Sequence, residues 1–315
     1  MALTLTEGEL YSTTDMLSRT AIDRLVKDST VLQKLPFETL LGNSDTYVTV
    51  TTDSGAQFYE VDEAWVESTP ALTSATVTLK ILGGDADIDK FLLETRQNKM
   101  DLKGTVLENK IKAVQYKFLD TFFYGSTSTD ASSFNGLHSL LTSTTYNTVH
   151  AGSSTGTALS MAKLRQAIDL IPNSWRGSPM AMYISKTERR LMAVYLDSIG
   201  SAFPREASKW GTPVEMFDGI PIFSDDHILN TETAASGAYT QSTGSTCTSI
   251  FIVAYGSDAA CGVQGSTGLK VTDLGELESK NAERFRISWY CGLKLKDIRS
   301  CAKVDGIASA SAVTA

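Results

Sequence analysis

Four short patterns carry residue types whose spacing could do chemistry. Gly152-Ser153-Ser154-Thr155-Gly156 reads as G-x-S-x-G, the spacing that presents a serine nucleophile on a sharp strand-to-helix turn. With His227 as its base, Ser154 would make a serine hydrolase. The surrounding run is rich in Ser and Gly, so it predicts a loop and not a nucleophile elbow. Asp85, Asp87 and Asp89 open like a calcium loop, but the sixth and twelfth places hold Lys90 and Arg96, where glycine and glutamate are needed. They read instead as acids in the first turn of a helix, where the dipole favours negative charge. Asp225-Asp226-His227 could ligate a metal or orient a base. The remaining histidines, His138 and His150, complete no metal-binding spacing, which leaves a polar turn after a strand. Gly265-Ser266-Thr267-Gly268 leads to Leu269-Lys270 and lacks the lysine placement of a phosphate loop. Neither catalysis, nor a cofactor, nor a metal is expected.

Bulk properties narrow the classes further. The 315 residues carry a formal net charge of −8, with 42% hydrophobic and 20% charged residues. That supports a packed core and argues against a nucleic-acid binder, which needs a basic stripe to displace counterions. Trp65, Trp175, Trp210 and Trp289 are dispersed and form no stacking platform beside basic residues. No apolar run approaches the roughly 20 residues of a membrane helix, and the first residues do not resemble a signal peptide. A cytoplasmic site of synthesis and no membrane partner are expected. Cys247, Cys261, Cys291 and Cys301 lie in no C-x-x-C pair and read as buried small hydrophobes.

The elements follow from periodicity. Residues 1–35 form a polar arm with a helical stripe at Met16, Leu17, Ile22, Leu25 and Val26, and Pro36 interrupts the pattern. Residues 45–81 alternate at both ends around Asp53-Ser54-Gly55 and Pro70, predicting a hairpin of about 15 residues per arm, roughly 50 Å long. Residues 85–124 carry the stripe Leu93, Met100, Leu107, Ile111, Val114, Phe118 and Phe122. They predict one spine helix of about 40 residues, or about 60 Å. Gly104 on that stripe permits either a close contact or a bend. Residues 126–158 read as loops. Residues 159–265 read as mixed α/β, with helices over 161–171 and 186–199, strands at 180–184 and 250–255, and a hairpin about Asp218-Gly219. Residues 284–295 alternate, with Phe285, Ile287, Trp289, Leu293 and Leu295 on one face and Arg284, Arg286, Ser288, Tyr290 and Lys294 on the other. A long exposed hairpin is marginal by itself and needs a surface to lie on.

Charge is unevenly spread. Between Leu35 and Leu79 there is no lysine or arginine, against seven acids that include Glu60, Asp62, Glu63 and Glu67. The spine leans positive through Lys90, Arg96, Lys99, Lys103, Lys110, Lys112 and Lys117.

In this order, the pieces resemble the Hong Kong 97-like major capsid proteins of tailed bacteriophages. The wording agrees at Trp65-Val66-Glu67-Ser68-Thr69-Pro70, at Leu79 to Asp89, at Phe118 to Gly125 followed by Phe134-Asn135-Gly136-Leu137, and at Gly219-Ile220-Pro221-Ile222. It agrees again at Asp273 to Glu278 and at Arg284 to Leu293. The resemblance implies an α+β fold divided into an N-terminal arm and start of a P-domain (1–44), an E-loop (45–81), a P-domain with its spine helix (82–150), an A-domain (151–267), and a return strand and tail (268–315). It implies a non-enzymatic subunit that assembles with copies of itself into hexamers and pentamers of an icosahedral head. A scaffolding protein and a portal are implied partners, double-stranded DNA is enclosed without sequence-specific binding, and the site is the virion after assembly in a host cytoplasm. Encapsulin-type nanocompartments share this fold and are the alternative. The E-loop of the family lies on an adjacent subunit, so Glu60, Asp62, Glu63, Trp65 and Glu67 are expected to meet Arg96, Lys99, Lys103 and Lys110 of a neighbour. Some members weld neighbours through an E-loop lysine; none lies between Lys34 and Lys80 here, so no such weld is expected.

Overall fold

The computed structural model describes residues 29–314 apart from 53, 97–101, 153–155, 201–204, 208–212, 233–245 and 310. The helix expected over Met16–Val26 lies outside them. The first element is a short helix, α1 (Thr30–Lys34), opened by the Ser29 hydroxyl accepting from Leu32 N at 3.3 Å and closed before Pro36. Strands β1 (Phe37–Leu40), β2 (Ser44–Thr52) and β3 (Ala71–Thr78) follow. β2 and β3 pair antiparallel, from Ser44 opposite Thr78 to Thr52 opposite Ala71. The hairpin exists, but its arms pair over nine and eight residues, and residues 54–70 form a wide loop at its end.

The expected start of the spine helix is corrected. Residues 80–89 are a strand, β4 (Lys80–Asp89), and helix begins only at α2 (Lys90–Arg96) and resumes at α3 (Leu102–Tyr124). The period of two in Asp85-Ala86-Asp87-Ile88-Asp89 buries Ala86 and Ile88 and turns the acids outward. A distant partner strand decides the matter. β4 pairs with β12 (Ala282–Leu295), placing Asp87 opposite Arg284 and Asp85 opposite Arg286. Each pair is a two-pronged ion pair, at 2.6 and 2.8 Å for Arg284–Asp87 and 2.7 and 2.8 Å for Arg286–Asp85. Gly83 lets the two backbones meet, because a Cβ there would sit 2.2 Å from the Ile287 carbonyl oxygen.

These pairs predict an acid dependence. Hydrogen bonds from the guanidinium groups hold both aspartates below the ordinary value of 3.8. Their stabilisation is therefore complete above that value and is lost as pH falls through the lowered pKa. The double variant Asp85→Asn/Asp87→Asn is expected to melt below the parent at pH 7. The gap to the parent's melting curve should close as pH falls below 3.8 and through the lowered pKa. A constant gap down to the lowest pH would contradict this.

Downstream lie α4 (Leu137–Leu140), β5 (Thr148–His150), α5 (Met161–Asp169), α6 (Asn173–Arg176), β6 (Met180–Ile184) and α7 (Lys186–Ser198). β7 (Arg205–Ala207), β8 (Pro213–Phe217) and β9 (Ile220–Ser224) come next, with Asp218 and Gly219 at φ 47° and 82° in the tight turn between β8 and β9. β10 (Cys247–Ala254), β11 (Ala260–Glu276), β12 and β13 (Cys301–Ala308) complete the chain.

Two sheets carry the body. One has the order β1-β11-β12-β4, the other β5-β13-β10-β6-β9-β8-β7. The second sheet draws in 148–150 and 301–308, two pieces that the sequence reading placed with the flanking segments. Its central strands are buried on both faces. Ala181, Tyr183, Phe251 and Val253 face a core shared with α3 and β12, while Met182, Ile184, Ile250 and Ile252 face a second core under α5 and α7. In the first core, Trp289 lies 4.7 Å from Phe118 and 5.7 Å from Phe37 between ring centroids. The stripe from Leu107 through Phe122 is buried against it. All four cysteines are buried free thiols, and burial pushes the Cys261 thiol up to about 12.

Candidate intersubunit surface

The hairpin leaves the body from a fixed root. Lys294, expected on the open face of its strand, is buried instead. Its ammonium donates to Asp45 at 2.7 Å and Glu38 at 3.1 Å and lies 5.4 Å from the Tyr47 ring centre. Burial draws its pKa down, but the bonds to Asp45 and Glu38 outweigh that and leave it raised. Thr49 donates to the Lys296 carbonyl at 3.3 Å. The end of β12 therefore grips both β1 and the hairpin. Lys294→Met is expected to leave Glu38 and Asp45 facing each other without a cation and to free the root. Limited proteolysis should then cut within 44–78 at least tenfold faster than in the parent; an unchanged rate would contradict the grip.

At the far end, the loop is organised by its own side chains. The Tyr59 and Trp65 rings stack at 4.9 Å and 11°. The Tyr59 hydroxyl accepts from Val66 N at 3.0 Å and donates to Val66 O at 3.3 Å. Glu63 accepts from Glu60 N at 2.9 Å, closing a turn in which Asp62 takes φ 75°. Ser68 accepts from Gly55 N at 2.8 Å. Within this shaped loop Phe58 and Val61 are fully exposed and Trp65 is 84% exposed, beside the acids Glu60, Asp62, Glu63 and Glu67. Apolar and uncovered side chains of this size make the loop a candidate contact surface. A second apolar patch lies at the root, where Leu41, Ile81 and Tyr290 border a groove of about 370 Å³.

Of the expected basic residues, Arg96 ends α2 with its side chain outside the described residues, and Lys99 lies outside them altogether. Lys103 is 2.5 Å from Glu283 and 5.7 Å from the Phe285 ring centre, with its side chain still 45% exposed. Lys110 reaches toward Gly84 and helps lower the pKa of Asp85. Both described lysines thus lie over the sheet of their own chain, while Lys112 and Lys117 on the same helix are exposed.

The chemical patterns resolve into structure. Ser154 lies outside the described residues. His227 Nδ1 is 2.6 Å from Asp120 on α3, its ring lies 5.2 Å from the Tyr116 ring between centroids, and its backbone N–H donates to the Asp225 carboxylate at 2.9 Å. Burial draws the pKa of His227 down, but Asp120 outweighs that and leaves it raised, so the residue ties a polar turn to the helix. Among the described residues, no group of three His, Cys, Asp or Glu is placed to hold a metal. No described helix is long and apolar enough to cross a membrane.

Sequence reasoning missed a buried polar cluster. Glu232 is 2% exposed, receives hydrogen bonds from Tyr124 and from Ser249 (2.6 Å), and lies 3.9 Å from His138 Nε2. Lys303 and Asp305 sit beside it, 3.4 Å apart. The available signal was the alternation in 301–308, which sends Lys303 and Asp305 to one face.

No protein-family model and no curated protein matches the chain. Solved structures do. The holo-SrpI encapsulin of Synechococcus elongatus PCC 7942 is 14% identical with TM-score 0.66, over 96% of this chain and 95% of that one. The capsid of a native GTA particle is 12% identical with TM-score 0.64, over 89% and 90%. The capsid of Cyanophage A-1(L) is 12% identical with TM-score 0.61, over 87% and 91%. The likeness spans nearly the whole length of each chain. The α+β architecture is the Hong Kong 97-like fold, on which phage capsids and encapsulins are both built.

Proposed function

We propose that this chain is a structural shell subunit whose work is to tile with copies of itself, as the major capsid protein of a phage head enclosing double-stranded DNA. The observation that carries the reading is the hairpin end. Its Tyr59–Trp65 stack presents Phe58 and Val61 to solvent on a loop held by bonds among its own residues. Burial of such side chains is worth roughly 1.5–3 kcal/mol each, and in this arrangement a neighbouring copy supplies it. The contact brings Glu60, Asp62, Glu63, Trp65 and Glu67 to Arg96, Lys99, Lys103 and Lys110 of a neighbour, the last two from their places over that neighbour's own sheet. The net charge of −8 suits a wall that encloses DNA without gripping it. Segments 45–81, 82–150 and 151–267 then serve as E-loop, P-domain and A-domain, with a scaffolding protein and a portal as partners.

The near-complete overlap with an encapsulin favours a second reading, a nanocompartment holding protein cargo. Negative-stain imaging of particles from the native source, followed by nuclease and protease treatment, separates the two. Nuclease-protected DNA inside closed particles supports the head; protease-protected protein with no DNA supports the compartment. A chain that forms no particles in either setting contradicts both.

The charge contact has its own test. Reversal of Glu60, Asp62 and Glu63 to lysine is expected to lower the assembly yield, most strongly at low salt where screening is least. Equal yield across ionic strength would contradict it.

A further inference from the structure

The buried ionisable side chains of Tyr124, His138, Glu232, Lys303 and Asp305 meet where α3 ends against the seven-stranded sheet. Glu232 lies beyond β9, and its backbone pairs with that of Cys247, the first residue of β10, in both directions, N to O at 2.9 and 3.2 Å. Its carboxyl takes the Tyr124 hydroxyl from the last residue of α3 and the Ser249 hydroxyl from β10. Tyr124 in turn accepts from Leu229 N at 3.2 Å, so its own proton is directed at Glu232. From α4, His138 Nε2 approaches to 3.9 Å. From β13, Lys303 and Asp305 face the same space, and from β5, His150 is held by Asp305 at 2.5 Å.

The nearby cation pulls on Glu232 from a distance but makes its direct contacts elsewhere. Lys303 is 2% exposed and is engaged by the His138 carbonyl at 3.3 Å and by Asp305 at 3.4 Å. With Lys303 balanced by Asp305, an ionised Glu232 adds an uncompensated negative charge to a closed space beside a second carboxylate. A neutral carboxyl fits the same two hydroxyls without that cost.

We propose that Glu232, with Tyr124, Ser249, His138 and Lys303, forms a proton-dependent joint between the spine helix and the seven-stranded sheet. It is tight while the Glu232 carboxyl is neutral and loosens when that carboxyl ionises. The joint lies inside one chain and is independent of the shell reading.

Burial pushes the Glu232 pKa from its ordinary 4.5 up to about 7, against the opposing pull of Ser249, Tyr124 and Lys303. A carboxyl raised in this way binds a proton in the closed state that it gives up on opening. Its contribution is therefore complete below 4.5 and has been lost by about 7. His138 acts with the opposite sign, because burial pushes it from 6.5 down to about 3. A comparison in which His138 cancels is needed.

The test is amide hydrogen exchange of the full chain at Glu232 and Cys247, normalised to unfolded rates, from pH 5 to 8.5, in the parent and in Glu232→Gln. The ratio of parent to variant protection is expected to fall roughly tenfold per pH unit between about pH 5 and pH 7 and to level off above. A ratio independent of pH overturns the proposal. Should Glu232→Gln fail to fold, Ser249→Ala serves. It removes a bond that lowers the carboxyl's pKa, so the fall in protection must move to higher pH; an unmoved profile overturns the proposal equally.

Discussion

Replacing residues 54–70 by a short turn is expected to abolish particle formation while leaving both cores folded. Every residue of the segment but the half-buried Tyr59 is exposed, and the bonds of Tyr59 with Val66 and of Gly55 with Ser68 stay within the loop. Removing it exposes no buried side chain of either core. What disappears is the surface that Phe58, Val61 and Trp65 offer to another copy. In a closed shell every subunit uses this contact, so the loss repeats at every interface and assembly fails as a whole. Far-ultraviolet circular dichroism and the denaturant midpoint of the isolated subunit should stay close to the parent's, while sizing shows no particles. Shells at parental yield would remove the hairpin end from the assembly mechanism.

The largest stability loss from a single substitution is expected at Trp289. Its ring is 1% exposed and sits against Phe118 and Phe37, at the point where β12, α3 and β1 meet. Trp289→Ala leaves a cavity that three different elements would have to collapse together to fill, and a cost of about 3–5 kcal/mol follows. Trp289→Phe is expected to cost less than half as much. It keeps most of the packing and removes an indole N–H that is buried without a hydrogen-bond partner. Denaturant unfolding of the two variants decides the point. Equal losses would mean that the pocket reads the indole as such and not the filled volume.

Strong periods were legible before the structure. The alternation at 285–295, the all-apolar core of β10, the stripe from Leu107 to Phe122 and the turn at Asp218-Gly219 each stated an element and its buried face. What stayed hidden depended on partners far along the chain. Asp85 and Asp87 look like helix-start acids until Arg286 and Arg284, about two hundred residues away, are laid opposite them, whereas Asp89 does accept from Phe91 N at the start of α2. β11 was not recognised over its full length because its pairing with β12 slips between Gln264 and Leu269, which breaks the alternation. Lys294 was assigned to the open side by the same alternation that placed Trp289 correctly. Its side is closed by the hairpin root, and no local pattern says so. The contact surface was half legible. The acids at 60–67 and the missing lysines could be counted, but the Tyr59–Trp65 stack that sets the loop's shape could not. The Glu232 cluster draws on four separate elements and left only the Lys303/Asp305 alternation as a trace.

The central claim is that this polypeptide completes its contacts only with copies of itself. Sedimentation velocity of the purified full chain over a hundredfold range of concentration tests it most directly. The account predicts a boundary far faster than a 34.0 kDa monomer, in discrete steps of capsomer and shell size, with the 54–70 replacement left at the slow boundary. A single monomer boundary at every concentration, unchanged by that replacement, would contradict it.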